Sequence, residues 1–487
     1  YRHDAPFLFD CTKLMRLSHY NAIFLAVILV AAVVIGLNFQ SADPGLYDDG
    51  LLQLAGATSL LRDGNYSIIQ RPPLYSALLA VLAKMQGISV QETTPAAQEL
   101  GSILFHDVAT SLLSPPFLLS VLLLNLLWWM LTVVILLAII RHLGLSYRWQ
   151  SAALLMSLVP TSWRLVGSVS EVPLCAFLLT LGIYSLIQVF TKQRYLPILV
   201  AGLCFALAGL TRAMYQLLPL ALCLVLLPIL WKRTNIRHAF VITLSFLLSY
   251  ILLVGGWSLR NYAVHGFWGV SGISGVALST RTAEYFERAS AAFPEEVAAF
   301  RSIRDQLYLD LTNKNDVVYW GARASNWLMA QREMSYLEAN RLLFALNVQA
   351  IRAAPLNYVD VVMMSVLHFH FPVVNAEWGA LPRFVSAVID CAMIAAFTGV
   401  TLLWLAARIF ARLRWLVLEW HNHEIIFAFA LLLFWYTALI SSAVDVGKPE
   451  HRLPVQFVVP LVIMVGGHWF YTRTKSLVDS SCEKQVT

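Results

Sequence analysis

The sequence predicts an all-α polytopic membrane protein with about ten transmembrane helices. The chain of 487 residues is 59% hydrophobic and only 13% charged, with a mean hydropathy of +0.68. Soluble domains of this size do not have that composition. Apolar runs of about twenty residues, the length that crosses a bilayer, recur from end to end. The net charge of +6 is modest, so nucleic acid is not expected as a partner.

Ten apolar runs are predicted to span the membrane: 21–39, 116–140, 150–168, 172–190, 196–213, 215–231, 239–257, 384–407, 424–443 and 454–471. The first run is expected to remain in place, because it ends in Asn38-Phe39-Gln40 without a small-residue cleavage pattern. The chain then divides into four parts: spans one to seven (1–257), an extramembrane insertion (258–383), spans eight to ten (384–472) and a tail (473–487).

Basic residues predict the orientation of these spans. Lys and Arg gather in alternate connections, such as Lys232, Arg233 and Arg237 before the seventh span. The positive-inside rule therefore places both termini in the cytoplasm and the protein in the cytoplasmic (inner) membrane. The polar clusters that carry Asp48, Glu171, Arg212, Arg260 and Glu450 all fall on the opposite, periplasmic face.

Two segments are predicted to lie outside the membrane on that face. The first loop, 40–115, has helical patterns at 49–62 and 74–85, and their amphipathic character indicates surface helices. The insertion begins with a Gly- and Ser-rich loop over 266–275. It then becomes polar and helical over 284–304 and 334–353, so we expect a mainly helical extramembrane part.

An acidic pair, Asp48-Asp49, lies about ten residues after the first span. A carboxylate beside a hydroxyl acceptor acts as a general base, and an adjacent acid raises its proton affinity. The alternative is helix capping, because an Asp at the start of the 49–62 helix satisfies free N–H groups. Two adjacent acids at a membrane face favour a functional role.

Charged residues recur elsewhere on the same face. Arg71 precedes two prolines, and Arg260 closes the seventh span between Trp257 and Tyr262. Such arginines either bind phosphate or extend to lipid headgroups. The last outer turn, 448–454, contains Lys448, Glu450, His451 and Arg452, which a simple turn does not need. Glu171 precedes a span, where a helix-capping role and a functional role are equally consistent with the sequence.

No metal site is predicted. His368-Phe369-His370 and His421-Asn422-His423 have His-x-His spacing, but side chains two apart diverge on a helix and neither segment reads as a strand. The chain also lacks a phosphate-binding loop, a nucleophile elbow and a dinucleotide fingerprint.

Together, the ordered motifs resemble those of the C-type superfamily of membrane glycosyltransferases (GT-C). These are the acidic pair, ATSLLRDGNY (57–66), RPPLY (71–75), SEV (170–172), LTR (210–212), GWSLRNY (256–262) and EHRLP (450–454). The set is most similar to the branch of protein O-mannosyltransferases and the aminoarabinose transferase of lipid A. The resemblance extends over residues 21–471.

The resemblance implies an inverting transfer of a sugar from a polyprenyl-phosphate donor to a hydroxyl acceptor, with no cofactor required. It implies Asp48 or Asp49 as the catalytic base. Candidates for the donor phosphate are Arg71, Arg212, Arg260 and Arg452. Candidates for sugar or acceptor contact are Glu171, Asn261, Tyr75, Glu450 and His451. Membrane lipids surround the protein, and the acceptor is a protein, a lipid or a glycan.

Two other classes remain open from the sequence. A transporter also has about ten spans, but its charges usually lie at mid-membrane and its halves repeat, whereas these charges gather at one face. A non-catalytic subunit of a membrane complex with the same fold would keep the spans and lose activity.

Overall fold

The computed structural model describes residues 48–90, 93–96, 106–157, 166–192, 196–310, 320–371, 380–409, 422–445 and 449–486. Its helices, in chain order, are α1 (Asp48–Asp63), α2 (Leu74–Met85), α3 (Pro115–His142), α4 (Tyr147–Ser157), α5 (Val172–Lys192), α6 (Leu196–Thr211), α7 (Leu218–Arg233), α8 (Ile236–Tyr250), α9 (Gly256–His265), α10 (Ser274–Thr282), α11 (Pro294–Asp310), α12 (Trp320–Arg332), α13 (Tyr336–Ala353), α14 (Pro355–Phe369), α15 (Ala380–Ile409), α16 (Asn422–Val444) and α17 (Val458–Val486).

Six helical segments of the described residues are long and apolar enough to cross a membrane, so the chain is an integral membrane protein. They are Pro115–His142, Val172–Phe190, Ala213–Arg233, Ile236–His265, Phe384–Ala406 and Ile425–Val444. All six coincide with predicted spans, which confirms the helical, polytopic class.

The four other predicted spans have different outcomes. Those at 196–213 and 454–471 correspond to shorter apolar helices, Leu196–Thr211 and Val458–Thr472. The span predicted at 150–168 appears as α4, and residues 158–165 lie outside the described part, as does the span predicted at 21–39.

The helix that contains the seventh predicted span extends beyond residue 257. One π-helical turn, Ile251–Gly255, joins α8 to α9, so the helix continues to His265. It stops where Gly266 adopts a left-handed conformation, with φ of 69°, and donates its N–H to the Tyr262 carbonyl. The GWSLRNY motif, which is predicted to close this span, therefore lies within the helix.

In the loop predicted at 40–115 the structure confirms both predicted helices, α1 and α2. They pack closely, because a side chain at Gly56 would meet Ser76 and Tyr66, and Ser76 donates a hydrogen bond of 2.7 Å to Gln53. Their apolar faces, with Leu54 and Leu79, are buried in the core of the bundle.

A short antiparallel hairpin follows these helices and was not predicted. Strands β1 (Thr93–Ala96) and β2 (His106–Ala109) pair in the register Thr93 opposite Ala109. The Ala109 N–H donates to the Thr58 hydroxyl at 3.0 Å, which attaches the hairpin to α1.

The insertion forms a helical unit with its own apolar core around Phe286, Phe300 and Trp320. Inside it α10 crosses α13 so closely that a Cβ atom at Gly275 would lie 1.9 Å from the Asn340 carbonyl oxygen. The prediction did not include α14, which follows α13 after a bend of 105°.

Candidate functional site

A cavity of about 240 Å³ lies where several connections of the bundle meet. Its walls come from the turn before α2, the residue before α5, the end of α6, the start of α10, the end of α16 and the turn that follows α16. The polar and charged lining residues are Gln70, Arg71, Glu171, Thr211, Arg212, Gln216, Ser271, Ser274, Tyr436, Ser441, Asp445 and His451. Four of the predicted site residues, Arg71, Glu171, Arg212 and His451, therefore lie in one cavity.

Glu171 and Arg212 form an ion pair across this cavity wall. The Arg212 Nε lies 3.5 Å from Glu171 Oε1, and both side chains are largely buried. Arg212 follows the last residue of α6 in an extended conformation, which turns its side chain out of the helix path. A guanidinium held this way is oriented and desolvated, and both properties strengthen its attraction for an anion.

His451, which also lines the cavity, lies between a hydroxyl and a carboxylate. Its Nδ1 is 2.6 Å from the Ser441 hydroxyl, and its Nε2 is 3.6 Å from Asp445 Oδ2. Ser441 and Asp445 are four residues apart, so they lie on one face at the end of α16. This arrangement orients the imidazole and gives it a route for proton exchange.

Arg71 is positioned by the turn that leads into α2. Its carbonyl and that of Pro72 both accept from the Tyr66 hydroxyl, at 3.0 and 3.2 Å. Burial raises the pKa of Tyr66, so the phenol remains protonated and able to donate. The turn is thereby held against the protein while Arg71 lines the cavity.

The helix that begins at the acidic pair has its first turn beside this site. A Cβ atom at Gly50 would lie 2.6 Å from the Val169 carbonyl oxygen, so the backbones of α1 and the segment before α5 are in contact. Val169 is two residues from Glu171. The side chains of Asp48 and Asp49 lie outside the described part of the chain, so their predicted roles stay predictions.

Arg260 and Asn261 are not among the residues that line the cavity. Arg260 donates to Asn65 Oδ1 at 2.8 Å and to the Tyr66 carbonyl at 2.9 Å, and its guanidinium stacks 5.0 Å from the Trp257 ring centre. Asn261 donates to the Gly269 carbonyl at 2.8 Å. The Arg260 contacts join α9 to the first loop, and the Asn261 bond joins α9 to the connection that follows it. Both residues thus have protein partners, and their predicted ligand contacts stay predictions.

Arg452 has a structural environment as well. It is fully buried, pairs with the carboxylate of Asp390, and donates to the Phe369 and Phe371 carbonyls at 2.9 and 3.1 Å. Its Nε donates to Gln456 at 3.0 Å. These contacts use the donor directions of the guanidinium and leave little capacity for a phosphate.

Two further predicted ligand contacts are Tyr75 and Glu450, and Tyr75 is not among the residues that line the cavity. The Tyr75 hydroxyl donates to Asn125 at 3.1 Å in the core between α2 and α3, and Tyr75 is fully buried there. The Glu450 side chain lies outside the described part of the chain. Within the described residues no group of three or more His, Cys, Asp or Glu side chains is placed to hold a metal ion.

Sequence reasoning missed Gln70, Ser441, Asp445 and Asp390. An acid inside an apolar run is itself a signal of function or pairing, and Asp390 within the predicted span 384–407 fits that rule. The spacing of Ser441 and Asp445, one helical turn apart beside a charged turn, was a weaker signal. Gln70 gave no signal, since one neutral polar residue in a loop is ordinary.

Comparisons with known proteins give one distant similarity. No protein-family model and no curated protein match the chain. A solved structure, the apo state of ArnT from Cupriavidus metallidurans, matches with a TM-score of 0.33 and 14% identity. The match covers 93% of this chain and 78% of that one. The similarity is too distant to assign an activity or residue roles.

Proposed function

We propose that the protein is a membrane glycosyltransferase that moves a sugar from a polyprenyl-phosphate donor to a hydroxyl acceptor at the periplasmic face. The observation that carries this proposal is the cavity itself. It brings Arg71, Arg212, Glu171 and His451 together from four distant parts of the chain, at the ends of helices rather than at their centres. The ordered sequence motifs give the reaction class.

Arg71 and Arg212 bind the donor phosphate in this proposal. Two guanidiniums in the cavity lining stabilise the negative charge that develops on the phosphate as the sugar leaves. Glu171 holds Arg212 in place through their ion pair. No metal is required for this step, because arginines supply the positive charge.

The lipid tail leaves the cavity between α7 and α16. Leu217, Ile440 and Val444 line the cavity on this side. Leu217 is 49% exposed and Val444 39% exposed, so the cavity wall is continuous with the apolar outer surface of the bundle. A polyprenyl chain there remains in contact with the membrane while its phosphate reaches the arginines.

Asp48 or Asp49 acts as the general base. The acceptor oxygen attacks the anomeric carbon from the face opposite the phosphate, its proton passes to the carboxylate, and the bond from carbon to phosphate oxygen breaks. The configuration at the anomeric carbon is therefore inverted. Glu171 and His451 contact the sugar or the acceptor from the cavity walls, and the acceptor is a protein, lipid or glycan.

The test is transfer from a panel of radiolabelled polyprenyl-phosphate sugars by membranes that contain wild-type protein, Asp48→Asn or Asp49→Asn. Asp63→Asn is the matched control, because it removes the same charge from the exposed opposite end of α1, where Asp63 pairs with Arg62. Either Asp48→Asn or Asp49→Asn should lose transfer while its protein level is unchanged. The control Asp63→Asn should keep its transfer activity. Wild-type protein without transfer, or equal transfer by both variants, would favour a transporter or a non-catalytic subunit.

A further inference from the structure

Gln70 is a buried side chain without hydrogen-bond partners at the edge of the cavity. It is 2% exposed and lines the cavity, and neither its Oε1 nor its Nε2 has a partner among the described residues. Among those residues, no other side chain leaves two polar atoms unsatisfied in this way. Buried amides nearly always find partners, so an unsatisfied carboxamide beside a cavity indicates that a ligand supplies them.

The backbone around Gln70 is held firmly, so a loosely placed loop does not explain the unsatisfied atoms. The Gln70 carbonyl accepts from the Ser271 hydroxyl at 2.6 Å, and the Ile69 carbonyl accepts from the Gly272 N–H at 2.7 Å. The Tyr66 hydroxyl donates to the carbonyls of the next two residues, Arg71 and Pro72. The Gln70 carboxamide is therefore unsatisfied although the backbone on both sides of it is held by hydrogen bonds.

Another unsatisfied atom in the cavity lining belongs to Glu171. Glu171 is ion-paired through Oε1, but its buried Oε2 accepts no hydrogen bond from the described residues. The wall therefore offers a neutral donor and acceptor from Gln70 and a strong acceptor from Glu171. A phosphate would repel the carboxylate, whereas hydroxyl groups match all three atoms, since each hydroxyl both donates and accepts.

We propose that Gln70 is a specificity-determining residue that hydrogen-bonds hydroxyl groups of the transferred sugar, with Glu171 Oε2 accepting from a neighbouring hydroxyl. This inference rests on the proposed function. A site with buried hydrogen-bonding groups rejects a ligand that leaves them unpaired, so Gln70 discriminates among sugars that carry the same phosphate. Phosphate affinity remains with the arginines.

The test separates the sugar from the phosphate. Affinities of purified protein in nanodiscs are measured for bare polyprenyl phosphate and for the sugar-bearing donor that the transfer panel identifies. We expect Gln70→Leu to weaken binding of the sugar donor about tenfold and to leave bare polyprenyl phosphate within about twofold. A donor whose sugar lacks the contacted hydroxyl should bind the wild type and Gln70→Leu with equal affinity.

Two control variants keep the outcomes distinct. Gln53→Leu removes another buried glutamine, whose Oε1 accepts from Ser76 rather than facing the cavity, and should not change the ratio of the two affinities. Arg212→Gln should weaken the binding of both bare polyprenyl phosphate and the sugar-bearing donor. An unchanged ratio in Gln70→Leu would overturn this inference while leaving the proposed function intact. Wild-type protein that binds neither lipid would overturn both.

Discussion

Four arginines shared one predicted role, yet their surroundings differ. Arg71 and Arg212 line the cavity, whereas Arg260 and Arg452 bond to carbonyl and side-chain oxygens of other segments. An arginine has five N–H donors, and where protein atoms accept most of them the residue serves structure rather than ligand binding. Of the four, Arg71 and Arg212 are half-buried and lie beside open space.

The buried pair of Arg452 and Asp390 should dominate local stability. We expect Arg452→Met to lower the free energy of unfolding by about 3–5 kcal/mol, because it leaves the carboxylate of Asp390 buried and uncompensated. The double variant Arg452→Met/Asp390→Leu should recover most of that loss, since no buried charge remains. Thermal unfolding in detergent measures both. A single variant as stable as the wild type would contradict the structural role.

At the level of elements, the position of α1 decides whether the acidic pair reaches the site. The first turn of α1 lies against the backbone before α5, and Gly50 permits this contact because it has no side chain. The spacing of Asp48-Asp49 from the membrane does not reveal this contact.

We expect Gly50→Ala to lower transfer about 100-fold, because a Cβ atom 2.6 Å from the Val169 carbonyl oxygen moves the first turn of α1 away from the site. Gly399→Ala in α15 is the matched control, as its Cβ would have nothing within 4 Å, and it should keep full activity. Initial rates with saturating donor measure the effect. If Gly50→Ala turned over at the wild-type rate, the position of the first turn of α1 would not matter for the reaction.

On the scale of the whole molecule, one long helical segment separates two connections of the chain. The helical segment Ile236–His265 has 30 residues, so it extends about 45 Å, more than the hydrocarbon core of a bilayer. Its first residue follows the turn after α7, and its last leads toward the insertion. These two connections therefore lie on opposite sides of the membrane.

Cysteine labelling tests this sidedness. In a background without native cysteines, we expect a membrane-impermeant maleimide to label Ser290→Cys in the insertion from the periplasmic side. Arg237→Cys, at the start of α8, should react only after the membrane is opened. Both positions are exposed on the protein surface, so a position that is not labelled is protected by the membrane and not by burial in the protein. Labelling of both from one side would overturn the orientation.

The sequence by itself determined the class and most of the helices. Apolar runs and helix-start signals depend on residues close together in the chain, so spans such as 172–190 and the outer helices α1 and α2 could be predicted from periodicity. Signals at boundaries are weaker, which is why the helix that continues to His265, the β1–β2 hairpin and α14 were missed.

Tertiary structure alone decided which charges form the candidate site. Arg212 and Arg260 follow similar apolar runs, and no local pattern distinguishes the one that pairs with Glu171 at a cavity from the one that fastens α9 to the first loop. Gln70 became informative only once its neighbours were known. Ion pairs, cavities and unsatisfied atoms depend on residues that are distant in sequence, and only the packed chain brings those residues together.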